Sequence, residues 1–234
     1  MSDSIREQLI QTIATKLSCI KILNGYQTDL GKNYTRRGQV SYNEEEQPSI
    51  GIFPGEETAE KIYSGRENIM PVTIMGNKLF APTTENSSTV AEKLLADIIS
   101  CILGPTFTIA FTNGKNQISQ GDQITGATST TTAYILSVTV SSGAWATNNA
   151  AGTILVRDVQ GEFLSSENIT VGGIVAATLS GSQSIQTQYG GLANKIEYVS
   201  GGPANYPDAG ETLISVKVVF NFHYLTSNNN PYTT

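Results

Sequence analysis

The sequence predicts an α+β protein: a two-layer sandwich of a mainly antiparallel sheet with two helices, carrying a small inserted all-β domain. Three observations carry that prediction. Residues 212–225 alternate over 14 positions, with Ile214, Val216, Val218, Phe220, Phe222 and Tyr224 on one side and Ser215, Lys217, Asn221 and His223 on the other. A period of two marks a strand buried on one face. Two segments, one near the start and one before residue 104, repeat apolar residues at helical spacing instead. Finally, residues 104–187 change texture, holding only six charged side chains in 84 residues and a crowd of Thr, Ser, Gly and β-branched residues.

The first helix opens on Ser4-Ile5-Arg6-Glu7, a capping box in which the hydroxyl and the carboxylate satisfy amides that a helix start leaves open. Ile5, Leu9, Ile13, Leu17 and Ile20 then repeat at helical spacing with Ile10 flanking, and Asn24-Gly25 stops the helix. After a loop to about Asn33, Val40 and Tyr42 mark a candidate strand ahead of the acidic run Glu44-Glu45-Glu46. Residues 49–53 read as a short strand between Pro48 and Pro54, and 69–75 as another. Pro71 assigns the latter to an edge or a strand start, because proline lacks the ladder N–H. The second helix opens on the box Thr89-Val90-Ala91-Glu92. Its apolar stripe is Val90, Leu94, Leu95, Ile98, Ile99, Ile102 and Leu103, and Gly104-Pro105 ends it.

Within 104–187 the strands read as 107–112, 133–141, 153–158 and 173–180, with Gly114, Gly143, Gly152 and Gly161 at turns. Gly121-Asp122-Gln123-Ile124-Thr125 is echoed 45 residues later by Ser166-Glu167-Asn168-Ile169-Thr170, either as two equivalent hairpin corners or by chance. A turn-rich approach, 201–211, leads into the last strand, and a polar tail follows from 226. The economical account places 104–187 as a β-rich domain inserted into a core built from 1–103 and 188–234.

Composition excludes more than it selects. Charged residues make up 15% of the 234, against a usual ~25%. The net charge of -6 argues against a surface built to hold nucleic-acid phosphates. No stretch approaches the ~20 apolar residues needed to span a bilayer, and the opening residues have neither the basic nor the apolar region of a secretory signal. Cys19 and Cys101 each sit late in a helix and read as buried thiols, not as a disulfide or metal pair.

The motifs of catalysis do not assemble. His223 is the single histidine, on the polar face of a strand with no partner near it in sequence, so a Ser-His-Asp or Cys-His mechanism is hard to build. No Walker loop, dinucleotide glycine pattern, Cys-x-x-Cys, His-Glu-x-x-His or Gly-x-Ser-x-Gly elbow is present. Glu44-Glu45-Glu46 and Glu56-Glu57 read as solvated acidic loops or, facing Arg36, Arg37 and Arg66, as an intersubunit charge contact. The expectation is a structural protein with no catalytic residues, no metal and no cofactor.

Several pieces stand in the order seen in one family. They are the helix 5–20, the linker Asn24-Gly25-Tyr26-Gln27-Thr28-Asp29-Leu30-Gly31, the segment Tyr34-Thr35-Arg36-Arg37-Gly38, and Gln47-Pro48-Ser49-Ile50-Gly51-Ile52-Phe53-Pro54-Gly55-Glu56-Glu57. The helix Ala91-Glu92-Lys93-Leu94-Leu95-Ala96-Asp97-Ile98 follows, then Tyr206-Pro207-Asp208-Ala209-Gly210-Glu211 with its long strand and the tail Asn230-Pro231-Tyr232. Over the core, the chain resembles the tail terminator (tail completion) proteins of tailed bacteriophages. The stretch that opens at Gly121 departs from that compact pattern and looks like the Thr/Gly-rich β modules of phage structural proteins.

The resemblance implies a homo-oligomeric, hexameric ring that caps the tail tube at its head-proximal end. Its partners would be the major tail tube protein and the neck or connector proteins, with DNA passing through the lumen without specific binding and no membrane involved. It also implies a virion location after synthesis in the host cytoplasm. On that reading, Tyr34, Arg36, Arg37, Glu56, Glu57 and Arg66 set subunit or tube contacts, and the insertion projects outward. Three other readings compete: a different neck, head-completion or tail ring component; a carbohydrate- or surface-binding module using Trp145, Tyr134 and Tyr189 as stacking platforms; and a glycosidase. The last is disfavoured because nothing places one acid in an apolar pocket beside another.

Overall fold

The alternating segment forms the strand β13, Leu213–Thr226, in a computed structural model that describes residues 3–35, 47–63, 65–185, 188–205, 212–227 and 230–232. The fold is mixed α+β and mostly β, with two α-helices and two sheets among the described residues. The chain divides into two compact units. One comprises Met1–Ile22, Tyr26–Leu103 and Gln188–Thr234, and the other Leu23–Gly25 with Gly104–Thr187.

In the first unit, β1 (Asn33–Thr35), β2 (Ser49–Pro54), β4 (Gly65–Leu79), β13 and β12 (Lys195–Asn205) lie side by side in that order, and β3 (Thr58–Ile62) also pairs with β4. β13 and β4 pair antiparallel without a break from Leu213↔Leu79 to Thr226↔Arg66. Directly opposed residues share a face, so Phe222 with Met70, Phe220 with Val72 and Val218 with Ile74 form one apolar surface, every member fully buried. The helices α1 (Ile5–Leu17) and α2 (Ser87–Leu103) contribute Leu9, Ile13, Leu17, Leu94, Ile98 and Ile102 to the same core. Gly76 sits beneath them. A Cβ there would lie 2.9 Å from Leu30 Cδ2 and 3.1 Å from Ile98 Cδ1, so its bare backbone permits the close approach.

Several boundaries differ from the sequence reading, each for a local reason. The Ser4 hydroxyl accepts from the Glu7 amide at 3.2 Å, as its motif requires. However, α1 ends at Leu17, where the turn tightens to i→i−3 bonds from Cys19 to Lys16 and Ile20 to Leu17. Ile20 stays in the core from outside the helix, and its carbonyl accepts from the Gly31 amide at 2.8 Å. α2 starts at Ser87, ahead of the Thr89 box, because the Asn86 side chain already accepts from the Thr89 amide at 3.2 Å. Cys101 is buried, whereas Cys19 lies past α1 and is partly exposed; neither forms a disulfide.

β4 is an interior strand of 15 residues, not an edge. Its proline is tolerated because the other flank is shared: β3 covers residues up to Ile69, and β2 begins at Val72. Pro71 sits in the gap between them, its carbonyl accepting from the Gly55 amide at 2.7 Å. In an antiparallel ladder a residue's N–H and C=O point to the same side, so the missing N–H falls where no strand asks for it. Residues 201–205 continue β12 instead of turning. They end the sheet as an edge strand with two register shifts, the setting in which glycine and proline are admitted. The strand expected at Val40 and Tyr42 and the approach 206–211 lie outside the described residues.

The second unit is a closed barrel. β5 (Thr106–Gly114), β8 (Ala150–Gln160), β7 (Thr132–Ser142), β6 (Gln123–Gly126), β9 (Asn168–Val171) and β10 (Ile174–Leu179) pair in sequence, and β10 returns to β5; β11 (Ser184–Ile185) adds to β5. Closure removes the free edges that an open sheet would leave. The sequence echo is part of this closure, since β6 and β9 carry its two copies and pair with each other through Ile124↔Val171, Thr125↔Thr170 and Gly126↔Ile169.

The turn ahead of each copy is built alike. Gly121 and Ser166 both take positive φ, 90° and 66°. The next residue's carboxylate accepts the amide three residues back, Asp122 from Ser119 at 2.7 Å and Glu167 from Leu164 at 2.6 Å. Ile118 and Phe163, also 45 residues apart, are both buried.

Glu167 goes further than its counterpart. It also accepts the Thr128 and Ser129 amides at 3.0 Å and the Ser129 hydroxyl at 2.8 Å, pinning the 127–131 loop. Burial raises its pKa, but the donors outweigh burial and hold the carboxyl below the ordinary glutamate value. Its stabilisation is therefore complete above the unfolded-state value near pH ~4.3 and is lost as pH falls through the lower folded value. Replacing Glu167 with Ala should destabilise this unit by about 2–4 kcal/mol. Urea unfolding followed by Trp145, the single tryptophan, which stacks on Phe111 in this unit's core, would read that change.

Candidate functional site

The site grows from one end of the β4–β13 pair. Tyr224, the last buried residue of the alternating strand, is 2% exposed and lies opposite Asn68, whose amide donates to Thr226 Oγ1 at 2.9 Å. Beyond β2 the chain is tied to β4 by the Gly55–Pro71 bond, which carries Glu57 over Tyr224. The Tyr224 hydroxyl donates to the Glu57 carboxylate. Arg6, in the first turn of α1, donates to the Gly55 carbonyl at 3.1 Å and places Nε 3.4 Å from Glu57 Oε2.

Together with Ser4 and Arg66 these groups line a cavity of about 380 Å³. Arg66 is exposed at its rim, while the Glu57 charge is already engaged by Arg6 and Tyr224. Among the described residues the cavity therefore offers two cations, one carboxylate and several hydroxyls, an excess of positive charge on a chain whose net charge is -6. Burial, then the hydrogen bond to Glu57 and its negative charge, push the Tyr224 hydroxyl well above the usual phenol range, with Arg6 opposing. The arrangement can hold an anion. Among the described residues, Glu57 accepts the hydrogen bond from the Tyr224 hydroxyl and so favours the protonated phenol.

Of the residues expected at an interface, Glu57 and Arg66 meet at this cavity. Glu57 takes Arg6 as its ion partner in place of Arg66, and it is anchored instead of solvated. Glu56 is exposed beside it. Tyr34, 48% exposed on β1, is paired with Ile50 near the other end of the sheet. Arg36, Arg37 and Glu44-Glu45-Glu46 lie outside the described residues. Sequence reasoning missed Arg6 and Tyr224. The capping motif did place Arg6 in a first helical turn, but only strand register brings it to residue 224.

His223 is nearly buried, with Nδ1 3.4 Å from Glu67 Oε1 and Nε2 3.2 Å from Glu197 Oε2, so it ties three adjacent strands together. Glu197 also pairs with Lys195, and the hydrogen bonds from Lys195 and then His223 hold its carboxyl below the ordinary range. The three proposed stacking platforms are placed unit by unit. Tyr189 is buried in the first unit with its hydroxyl on the Ile102 carbonyl, while Trp145 packs on Phe111 and Tyr134 lies against Gly25 in the second. No group of three His, Cys, Asp or Glu among the described residues could hold a metal ion, and no described helix is long and apolar enough to cross a membrane.

No family model and no curated protein matches this chain.

The raised Tyr224 pKa sets a sign for alkaline stability. The protonated phenol is favoured in the folded unit, so its contribution is complete below pH ~10 and is lost as pH rises toward the folded value. Tyr224→Phe should cost about 1 kcal/mol at neutral pH and flatten the stability loss above pH ~10. Urea unfolding followed by helical circular dichroism would measure both, since α1 and α2 belong to the first unit.

Proposed function

We propose that this chain is a structural virion protein, a ring-forming tail terminator that caps the tail tube at its head-proximal end and joins it to the neck. In this reading the first unit is a two-layer α+β core that builds the ring, and residues 104–187 are a β module inserted into it. The observation that carries the reading is the ordered set of core segments, from the opening helix to the closing strand. Two features of the structure support it. The first unit's sheet ends in β12 on one side and in β1 and β3 on the other, dissimilar edges suited to head-to-tail contact. Its cavity also places two arginines where a charged group of a neighbour could be held. The low charge fraction suits a lumen through which DNA passes without being held.

Light scattering of the purified chain, with negative-stain microscopy of mixtures with tail tubes, tests the proposal. Rings of about six copies seated on tube ends are the expected result. A chain that remains a monomer and leaves tube ends bare would overturn it. Rings found in virions at the head portal or the distal tip would instead move the protein to another station in the particle.

A further inference from the structure

The cavity and the acidic run Glu44-Glu45-Glu46 carry opposite charge, and Ser49, three residues after the run, enters the sheet at the other end of β4 from Arg66. Arg66 opens β4, opposite Thr226. Ser49, which anchors the chain just after the acidic run, pairs with Asn77 near the other end of β4. Eleven residues of β4 separate those two positions, about 35 Å at ~3.3 Å per residue. Glu44 is five residues from Ser49, so a fully extended chain carries it at most about 18 Å. A run tethered so close to Ser49 is better placed to reach the cavity of a neighbouring copy than that of its own chain.

We propose that the cavity bounded by Arg6, Glu57, Arg66 and Tyr224 is a receptor for the acidic run 44–46 of a second copy of this chain. Arg66 is the receiving group, because the planar guanidinium can grip a carboxylate with two parallel hydrogen bonds. Arg6, paired with Glu57, holds the cavity wall, and Ser4, Asn68 and Thr226 supply polar contacts around the guest. Opposite ends of one sheet then become complementary ends. A contact between unlike surfaces is heterologous, and it closes into a ring when the rotation between neighbours permits. The inference rests on the homo-oligomeric reading above and names the contact within it.

A fluorescent peptide with the sequence of residues 42–49, titrated into the full-length protein and followed by anisotropy, tests the assignment. The peptide should bind, Arg66→Glu should weaken it at least ~10-fold, and Arg66→Lys should fall between, because the charge remains while the fork is lost. A peptide carrying glutamine at its three glutamate positions should not bind. Arg66 is exposed, so these variants should fold, and unchanged circular dichroism would verify that. No binding of the native peptide, or equal affinity for wild type and Arg66→Glu, would overturn the proposal. The two readings separate cleanly. A chain that binds the peptide yet never caps tube ends keeps the contact and loses the ring. Normal rings from Arg66→Glu keep the ring and lose the contact.

Discussion

The unbroken pairing of β13 with β4 is the constraint from which the first unit follows. Fourteen consecutive cross-strand pairs commit every inward residue of both strands to one surface, and a slip of one residue would turn Val216, Val218, Phe220 and Phe222 to the opposite face. That surface is large enough to seat α2, with α1 sharing the same core. It also determines where the pair ends, and there the last buried residue is a tyrosine. A buried phenol needs a hydrogen-bond partner, and Glu57 supplies it.

The break between β2 and β3 serves that end of the sheet. Pro71 can stand in an interior strand because its neighbours part around it, and the same parting lets residues 55–57 leave the sheet and cross to Tyr224. A position that looks like a flaw in the strand therefore aligns with the loop that builds the cavity wall. Arg6 then fastens the loop from the helix side through the Gly55 carbonyl and the Glu57 carboxylate. With Glu57 engaged, the charge left at the rim among the described residues is that of Arg66.

The second unit reaches stability by a different route. Its strands close on themselves, so each ladder is matched without a helix layer. The closure depends on two turns of the same design meeting across β6 and β9. Glu167 shows how the copies diverge: where Asp122 caps one amide, the longer side chain reaches across and holds a second loop.

Much of this was written locally. The two-residue period around Phe220, the helical stripes of Ile5–Leu17 and Val90–Ile102, the Ser4 cap, the Thr-rich texture and the echo at Ile124 and Ile169 are patterns that neighbouring residues impose on one another. They determined the element types and brought Glu57 and Arg66 into consideration as charged contacts. Which strand lies beside which was not local. A sequence window cannot tell that Pro71 faces a gap, that the Gly-rich 201–205 runs along an edge, or that the lone histidine sits between Glu67 and Glu197. Nor can it tell that Arg6, Glu57 and Tyr224 converge across as many as 218 residues of chain. Those outcomes depend on pairing partners distant in sequence, whose free energy comes from the joint burial of both faces and not from either segment alone.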